Sequence, residues 1–259
     1  MSVICLKIFN KEGKILAEES GINEINLVYQ AEYQEGDRIV LDVEDKNTFY
    51  YVQFDDARGK AYVYLTGIVD YKIPFGDDRM HFSPKAFFGE KHVLSVRKAS
   101  EEEQENYRNL AENIWDFKGS INCYPHASSN VENRAAFDAM NAIDGVTVTT
   151  CHGRWPYQSW GIGRRADAVW KLEFGRAVDI EKLVFYCRAD FPHDSWWKEA
   201  TLMYSDGSTE KRHLIKSKDA QIFEVKKNKI EWIEIKELIK ADDQSPFPAL
   251  TQLQVYGRG

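Results

Sequence analysis

Apolar and polar residues alternate with period two through much of residues 1–98, in the runs Val3 to Phe9, Ile25 to Tyr33, Arg38 to Val43, Phe49 to Phe54, Ala61 to Gly67 and His92 to Val96. Successive side chains of a strand point to opposite faces, so this pattern predicts strands with one face in a core. The β-branched and aromatic residues that fill the runs, bounded by Gly, Asp and Asn, predict an antiparallel sandwich. The pattern then breaks. Ser100 precedes Glu101, Glu102 and Glu103, which supplies an N-cap, a capping-box glutamate and negative charge at the positive helix end, and predicts a helix to about Ile114. A second helical stretch is predicted over Asn133 to Ala142, where Ala136, Phe137, Met140 and Ala142 recur at roughly helical spacing before Asp144-Gly145 turns the chain. Strand patterning resumes in Val169 to Phe174, Ile180 to Arg188, Ala200 to Tyr204, Glu210 to Lys216, Gln221 to Val225, Ile230 to Ile235 and Leu250 to Tyr256, with Ser205-Asp-Gly-Ser208 as a hairpin turn. The expected architecture is all-β: a β-sandwich domain over residues 1–98, a short helical linker over 99–120 and a second β-sandwich domain over 121–259.

Composition narrows the partners. With 259 residues, 43% hydrophobic and 29% charged, the chain lies near globular averages of about 45–50% and 25%, which excludes disordered and collagen-like classes. No apolar run approaches the ~20 residues of a membrane-spanning helix, so no membrane partner is expected. The net charge of −7 belongs wholly to the first part: up to Lys118 there are 15 basic and 22 acidic residues, and beyond it 19 of each. Neither part offers the clustered Lys and Arg that displace counterions from a phosphate backbone, so nucleic acid is not an expected partner. Met1 to Asn10 read as a strand rather than as a secretion signal, which predicts a cytoplasmic chain. Cys5, Cys123, Cys151 and Cys187 lack CxxC spacing and are expected to be buried free thiols.

Candidate chemistry concentrates in two segments, Cys151 to Trp160 and Arg188 to Lys198, which together hold four of the seven tryptophans. Pro156 and Pro192 make both unsuited to a central strand, which places their polar groups on loops. A sugar needs an aromatic face for its C–H side and planar or bidentate partners for its hydroxyls. His152, Arg154, Trp155, Trp160, Arg188, Asp190, His193, Asp194, Trp196 and Trp197 supply both kinds and form the candidate ligand-binding set. The alternative is structural: tryptophans are common in sandwich cores, and Arg188 with Asp190 can pair between strands. Trp170 and Trp232, inside strand patterns, are expected in the core, and the adjacent Trp196 and Trp197 are expected to face opposite ways.

Several stretches resemble the galactose-binding-like domains of the discoidin or coagulation-factor type C and carbohydrate-binding-module kind. Ala139 to Gly145 (Ala-Met-Asn-Ala-Ile-Asp-Gly) resembles their opening signature, Trp155 and Trp160 their Trp-x-Ser stretch, Ala168 to Gly175 and Val178 to Tyr186 the next strands, and Leu253 to Gly257 the closing strand. The resemblance spans residues 121–259 and implies a jelly-roll sandwich, with carbohydrate as the partner. It also implies a structural calcium beside the Asp-Gly turn, with Asp144 as candidate metal ligand, against the alternative that Asp144 only caps the turn. The closing strand has Gln252 and Gln254 where the family often has Glu, which removes one anionic ligand.

Three functions follow as expectations. The leading one is a non-catalytic carbohydrate-binding protein that reads a sugar through the aromatic and Arg/Asp/His loops. The second is an assembly module whose aromatic loops bury against the other domain or a second copy of the chain. The third is a glycan-processing enzyme using His193 with Asp190 or Asp194, although no Gly-x-Ser-x-Gly, His-Glu-x-x-His or phosphate loop accompanies them.

Overall fold

The alternating runs become strands in a computed structural model that describes residues 1–149, 151, 153–189 and 195–259. In chain order the first are β1 (Val3–Phe9), β2 (Ile15–Ile22), β3 (Glu24–Tyr29), β4 (Arg38–Val43), β5 (Thr48–Gln53), β6 (Ala61–Leu65), β7 (Val69–Lys72) and β8 (His92–Lys98). One antiparallel sheet runs β2-β1-β4-β7 and the facing one β6-β5-β8-β3. Period-two patterning explains the pairing: Ile4, Leu6, Ile8, Leu41 and Val43 meet Val52, Val63, Leu94 and Val96 in a single core. Strand β2 was not expected, because its residues are mostly exposed and carry no alternation. An edge strand needs only a backbone partner, and β1 pairs with it along nearly its whole length.

The expected helical linker is a single turn, α1 (Glu101–Gln104). Its capping box forms as anticipated: the Ser100 hydroxyl accepts from the Glu103 N–H at 3.3 Å, and the Glu103 carboxylate accepts from the Ser100 N–H at 2.8 Å. Tertiary pairing then overrides helix propensity. Strand β9 (Arg108–Asn109) joins the closing strand of the second sandwich, Leu110 and Ala111 enter that sandwich's core, and Trp115 turns back into the core of the first. The segment is therefore a strap held by both sandwiches. Strand β10 (Cys123–Tyr124) goes further and adds to the edge of the first sandwich beside β6.

The second sandwich comprises β11 (His126–Ser129), β12 (Trp160–Gly161), β13 (Trp170–Cys187), β14 (Trp197–Tyr204), β15 (Thr209–His213), β16 (Gln221–Lys240) and β17 (Ala249–Arg258). The paired runs expected on either side of Gly175 and of Lys229 are each one long strand, β13 and β16, with register shifts where the ladder bends. Near one end β13 lies between β11 and the late part of β16; beyond the bend it lies between β17 and the early part of β16. Two layers thus share their long strands, and Trp170, Leu172, Leu183, Phe185, Ile233 and Leu253 pack together between them. The Ser205–Ser208 turn links β14 and β15 as expected, with Gly207 at φ +81°. The stretch expected as a helix over 133–142 is two 3-10 turns, Ala135–Phe137 and Ala139–Ile143, because Asp138 is extended between them and caps the Ala139 N–H at 2.7 Å.

Arginines join the sandwiches along one side. The Arg176 guanidinium lies 4.4 Å from the Phe49 ring centroid and that of Arg108 4.5 Å from Tyr62, and both donate to the Gly259 carbonyl, at 2.7 and 2.9 Å. Burial, with Arg108 alongside, pushes the Arg176 pKa down to about 9. Gly175, at φ +70°, packs under the Tyr124 ring, where a Cβ would fall 2.4 Å from the ring.

Candidate functional site

A loop of the first sandwich, residues 76–89, forms one wall of the site. Asp55 fixes it from beneath: one carboxylate oxygen accepts from the Phe87 N–H at 3.1 Å and from His92 Nδ1 at 2.9 Å, while His92 Nε2 faces the Gly89 carbonyl at 2.9 Å. Arg79 braces the loop internally by donating to the Ala86 carbonyl at 2.6 Å. Phe87 is held at φ +56° with its ring in the core, a conformation unfavourable for a bulky L-residue. That turn sends the next side chain outward, and Phe88 is 73% exposed.

The opposite wall is the segment that carries the sequence-derived candidates Arg154 and Trp155. The Trp155 N–H donates to the Met80 carbonyl at 2.7 Å, and the Tyr157 N–H to the Arg154 carbonyl at 2.8 Å, so this loop is docked on the first sandwich. A groove of about 400 Å³ lies between the walls, lined by Asp77, Arg79, Phe88, Arg154 and Trp155 among others. Arg154 and Asp77 are exposed and Trp155 half-buried. The groove therefore presents two aromatic faces with two guanidinium groups and a carboxylate.

Other members of the candidate set lie elsewhere. Trp160 is fully buried, its ring 5.9 Å from that of Trp197 and its indole N–H donating to the Ser129 hydroxyl at 3.2 Å. Arg188 is also fully buried, with its guanidinium donating to the Tyr157 carbonyl. Trp196 is half-buried and Trp197 buried, the opposite orientations expected of neighbours entering a strand. His152, Asp190, His193 and Asp194 lie outside the described residues. Trp170 is in the core as expected, but Trp232 is only half-buried, with Lys171 5.4 Å from its ring centroid. Of the cysteines expected to be buried, Cys151 is exposed and Cys5 half-buried; burial pushes the thiols of Cys123 and Cys187 up to about 12. The 76–89 wall has no strand or helix pattern to mark it in sequence: its stretch from Phe82 to Phe88 is interrupted by Ser83-Pro84-Lys85 and ends at Gly89.

Asp144 does not suit a cation. Its Oδ1 accepts from Gln252 Nε2 at 2.6 Å and from the Val146 N–H at 2.8 Å, and its other oxygen accepts from Gln158 Nε2. The same Gln252 nitrogen donates to the Asn141 carbonyl at 2.7 Å, while Gln252 Oε1 accepts from the Gly145 N–H at 3.2 Å. Reversing the amide would set oxygen against the Asn141 carbonyl and nitrogen against an N–H, so its orientation is fixed by partners that cannot exchange roles. An amide N–H₂ thus fills the point where the Asp144 and Asn141 oxygens converge, and Gln252 brings no anionic oxygen to a cation. In this arrangement Asp144 is a hydrogen-bonded turn residue, the alternative to the expected calcium ligand. Among the described residues no group of three or more His, Cys, Asp or Glu side chains is arranged to hold a metal. Burial pushes the Asp144 carboxyl up to about 6, with the Arg58 charge and the donated hydrogen bonds opposing it.

No protein-family model matches the chain, and no curated protein matches it. Among solved structures it is similar to chitosan-binding module 1 of a chitosanase/glucanase from Paenibacillus sp. IK-5, at 16% identity and a TM-score of 0.38 over 57% of this chain and 98% of that one. A Streptococcus pneumoniae fucose-binding module aligns at 14% identity and a TM-score of 0.41 over 58% and 98% of the two chains. The lectin domain of lectinolysin complexed with Lewis B antigen aligns at 13% identity and a TM-score of 0.42 over 58% and 97%.

Proposed function

We propose that this protein binds carbohydrate in the groove between the 76–89 loop and the 154–155 loop. The observation that carries the reading is the convergence of Phe88, Trp155, Arg79, Arg154 and Asp77 on one open space of about 400 Å³. Aromatic rings cover the apolar face of a pyranose, and guanidinium and carboxylate groups pair its hydroxyls in fixed directions. The walls are pre-formed: the Asp55 and Arg79 hydrogen bonds hold one, and the Met80 carbonyl holds the other, so little ordering is left to oppose binding. Carbohydrate is also the ligand class in the names of the chitosan- and fucose-binding modules, but the groove's own residues support the reading.

A glycan array followed by calorimetry tests it. The parent is expected to bind at least one glycan, and Trp155→Ala and Phe88→Ala are each expected to weaken that binding at least tenfold, about 1.4 kcal/mol. No bound glycan, or two variants as tight as the parent, sinks the reading. One observation favours a second role for the same segment: Trp155 and Gln158 both reach the first sandwich, at the Met80 and His81 carbonyls, 2.7 and 3.4 Å away. If joining the sandwiches is all that the segment does, Trp155→Ala lowers stability and no glycan binds to either protein.

A further inference from the structure

The groove does not end at the first sandwich's loop. Asp77 and Phe82 line it and also line a cleft of about 750 Å³ between the two sandwiches. Lys72, Asp78 and His81 of the first sandwich face this cleft from one side, and Asn133, Arg134 and Asp138 of the second from the other. The two spaces are each within the range of about 300–1,000 Å³ that accommodates a small ligand, and together they exceed what a single sugar ring fills.

The chemistry of the cleft matches the groove's. Charges of both signs are interspersed, which serves hydroxyls that donate and accept at once and gives no field for a particular ion. His81 is 7% exposed, and its Nδ1 is buried without a hydrogen-bond partner. Its ring, tilted over Phe82 at a centroid distance of 4.0 Å, is positioned at the side chain that the groove and cleft share. Native proteins leave few buried polar atoms unsatisfied, so this ring nitrogen, on a residue that lines the cleft, is left with hydrogen-bonding capacity for a hydroxyl that reaches it. Burial pushes the His81 pKa down to about 3, so the imidazole is neutral and offers one donor and one acceptor.

We propose that the ligand is an oligosaccharide that lies across both sandwiches, with one sugar on Trp155 and Phe88 and the following sugars in the cleft beside His81 and Arg134. This rests on the carbohydrate reading of the groove and deepens it: the ligand is a chain, and the joint between the sandwiches is a binding surface.

Ladders of cello-, N-acetylchito- and galacto-oligosaccharides, of one to six sugars, are titrated into the full chain. Affinity is expected to rise at least tenfold between one and four sugars in a ladder that binds. Arg134→Ala, at an exposed position, and His81→Phe, which keeps the aromatic contact with Phe82, are each expected to remove most of that rise. Binding that depends on Trp155 but is flat with chain length overturns this proposal and leaves the groove reading standing. So does a length dependence that Arg134→Ala, a variant whose folding is not at issue, leaves intact. If no ladder and no array glycan binds, both fall together.

Discussion

Trp155 and Trp160 leave the same short segment for opposite surroundings. Trp155 lies half-buried in an open groove against the first sandwich, beside the exposed Arg154; Trp160 is sealed against Trp197 in the core of the second. In sequence the two look alike, tryptophans of one Pro-containing stretch. What separates them is the anchor of the backbone. Trp160 begins β12 and is drawn inward by pairing with Leu250 of β17, whereas the Trp155 N–H is taken by the Met80 carbonyl, outside its own sandwich. An aromatic of this segment is thus packed in a core or left at an open groove according to where its main chain finds its hydrogen bonds.

Breaking each end separately sharpens that contrast, and the largest effect belongs to the closed end. Trp160→Ala removes a fully buried ring and is expected to cost about 3–5 kcal/mol in urea unfolding. Sugar affinity of the molecules that remain folded should not change. At the open end, Phe88→Ala should stay within about 0.5 kcal/mol of the parent, because the ring is 73% exposed, yet lose binding at least tenfold. Equal losses of stability at the two positions would mean that the open and closed ends are not distinct.

The next effect concerns the turn behind the groove. Gln252→Glu replaces an amide donor by a carboxylate facing the Asp144 oxygen at 2.6 Å and the Asn141 carbonyl at 2.7 Å, which takes the Gln252 hydrogen bond from both and leaves Asp144 Oδ1 only the Val146 N–H. A loss of about 1–3 kcal/mol is expected, the usual consequence of leaving buried polar groups unsatisfied. Millimolar calcium should restore part of it, because the substitution gathers two carboxylates and a carbonyl at one point. Thermal melts with calcium and with EDTA provide the check. The parent should melt at the same temperature in both; a calcium-stabilised parent would contradict the placement of the Gln252 amide.

Much of the fold was legible because alternation is a physical consequence of one-sided burial, and Ile4, Leu6 and Ile8, or Leu183 and Phe185, obey it directly. The capping box at Ser100 was equally readable, yet it starts only one turn, since nothing local tells that Arg108 and Asn109 will pair with β17 or that Trp115 will fill the first core. The edge strand β2 was invisible because exposed strands have no apolar face to announce them. At the groove, Arg154 and Trp155 stand out in sequence by residue type, together with residues from Arg188 to Lys198 of which Asp190, His193 and Asp194 lie outside the described residues. Arg79 and Phe88 line the same groove, more than half a chain's first domain away in sequence and brought near by contacts between sandwiches that no spacing encodes.

The smallest expected effect is electrostatic and falls on Gln158, which lies between the two tryptophans and ties Asp144 to the His81 carbonyl. Asp144 is raised from 3.8 to about 6, mainly by burial. The folded state therefore binds its proton more readily than the unfolded chain does, and the resulting stability is complete below about pH 4 and lost as pH rises through 6. His81 is lowered from 6.5 to about 3, by burial and then by the Arg58 charge. Here the unfolded chain binds the proton more readily, so stability is complete above pH 6.5 and lost as pH falls toward 3. Between pH 6 and 4 the two groups oppose each other and their contributions nearly cancel in the parent. Removing one exposes the other: acidification from pH 6 to 4.5 should destabilise Asp144→Asn, and stabilise His81→Phe, relative to the parent, each by about 1 kcal/mol per pH unit. Urea midpoints at pH 4.5, 5.25 and 6, read as differences from the parent so that shared carboxylates drop out, measure this. Three parallel curves would mean that neither group changes its proton affinity on folding, and that the joint behind the groove is electrostatically indistinguishable from the open surface in front of it.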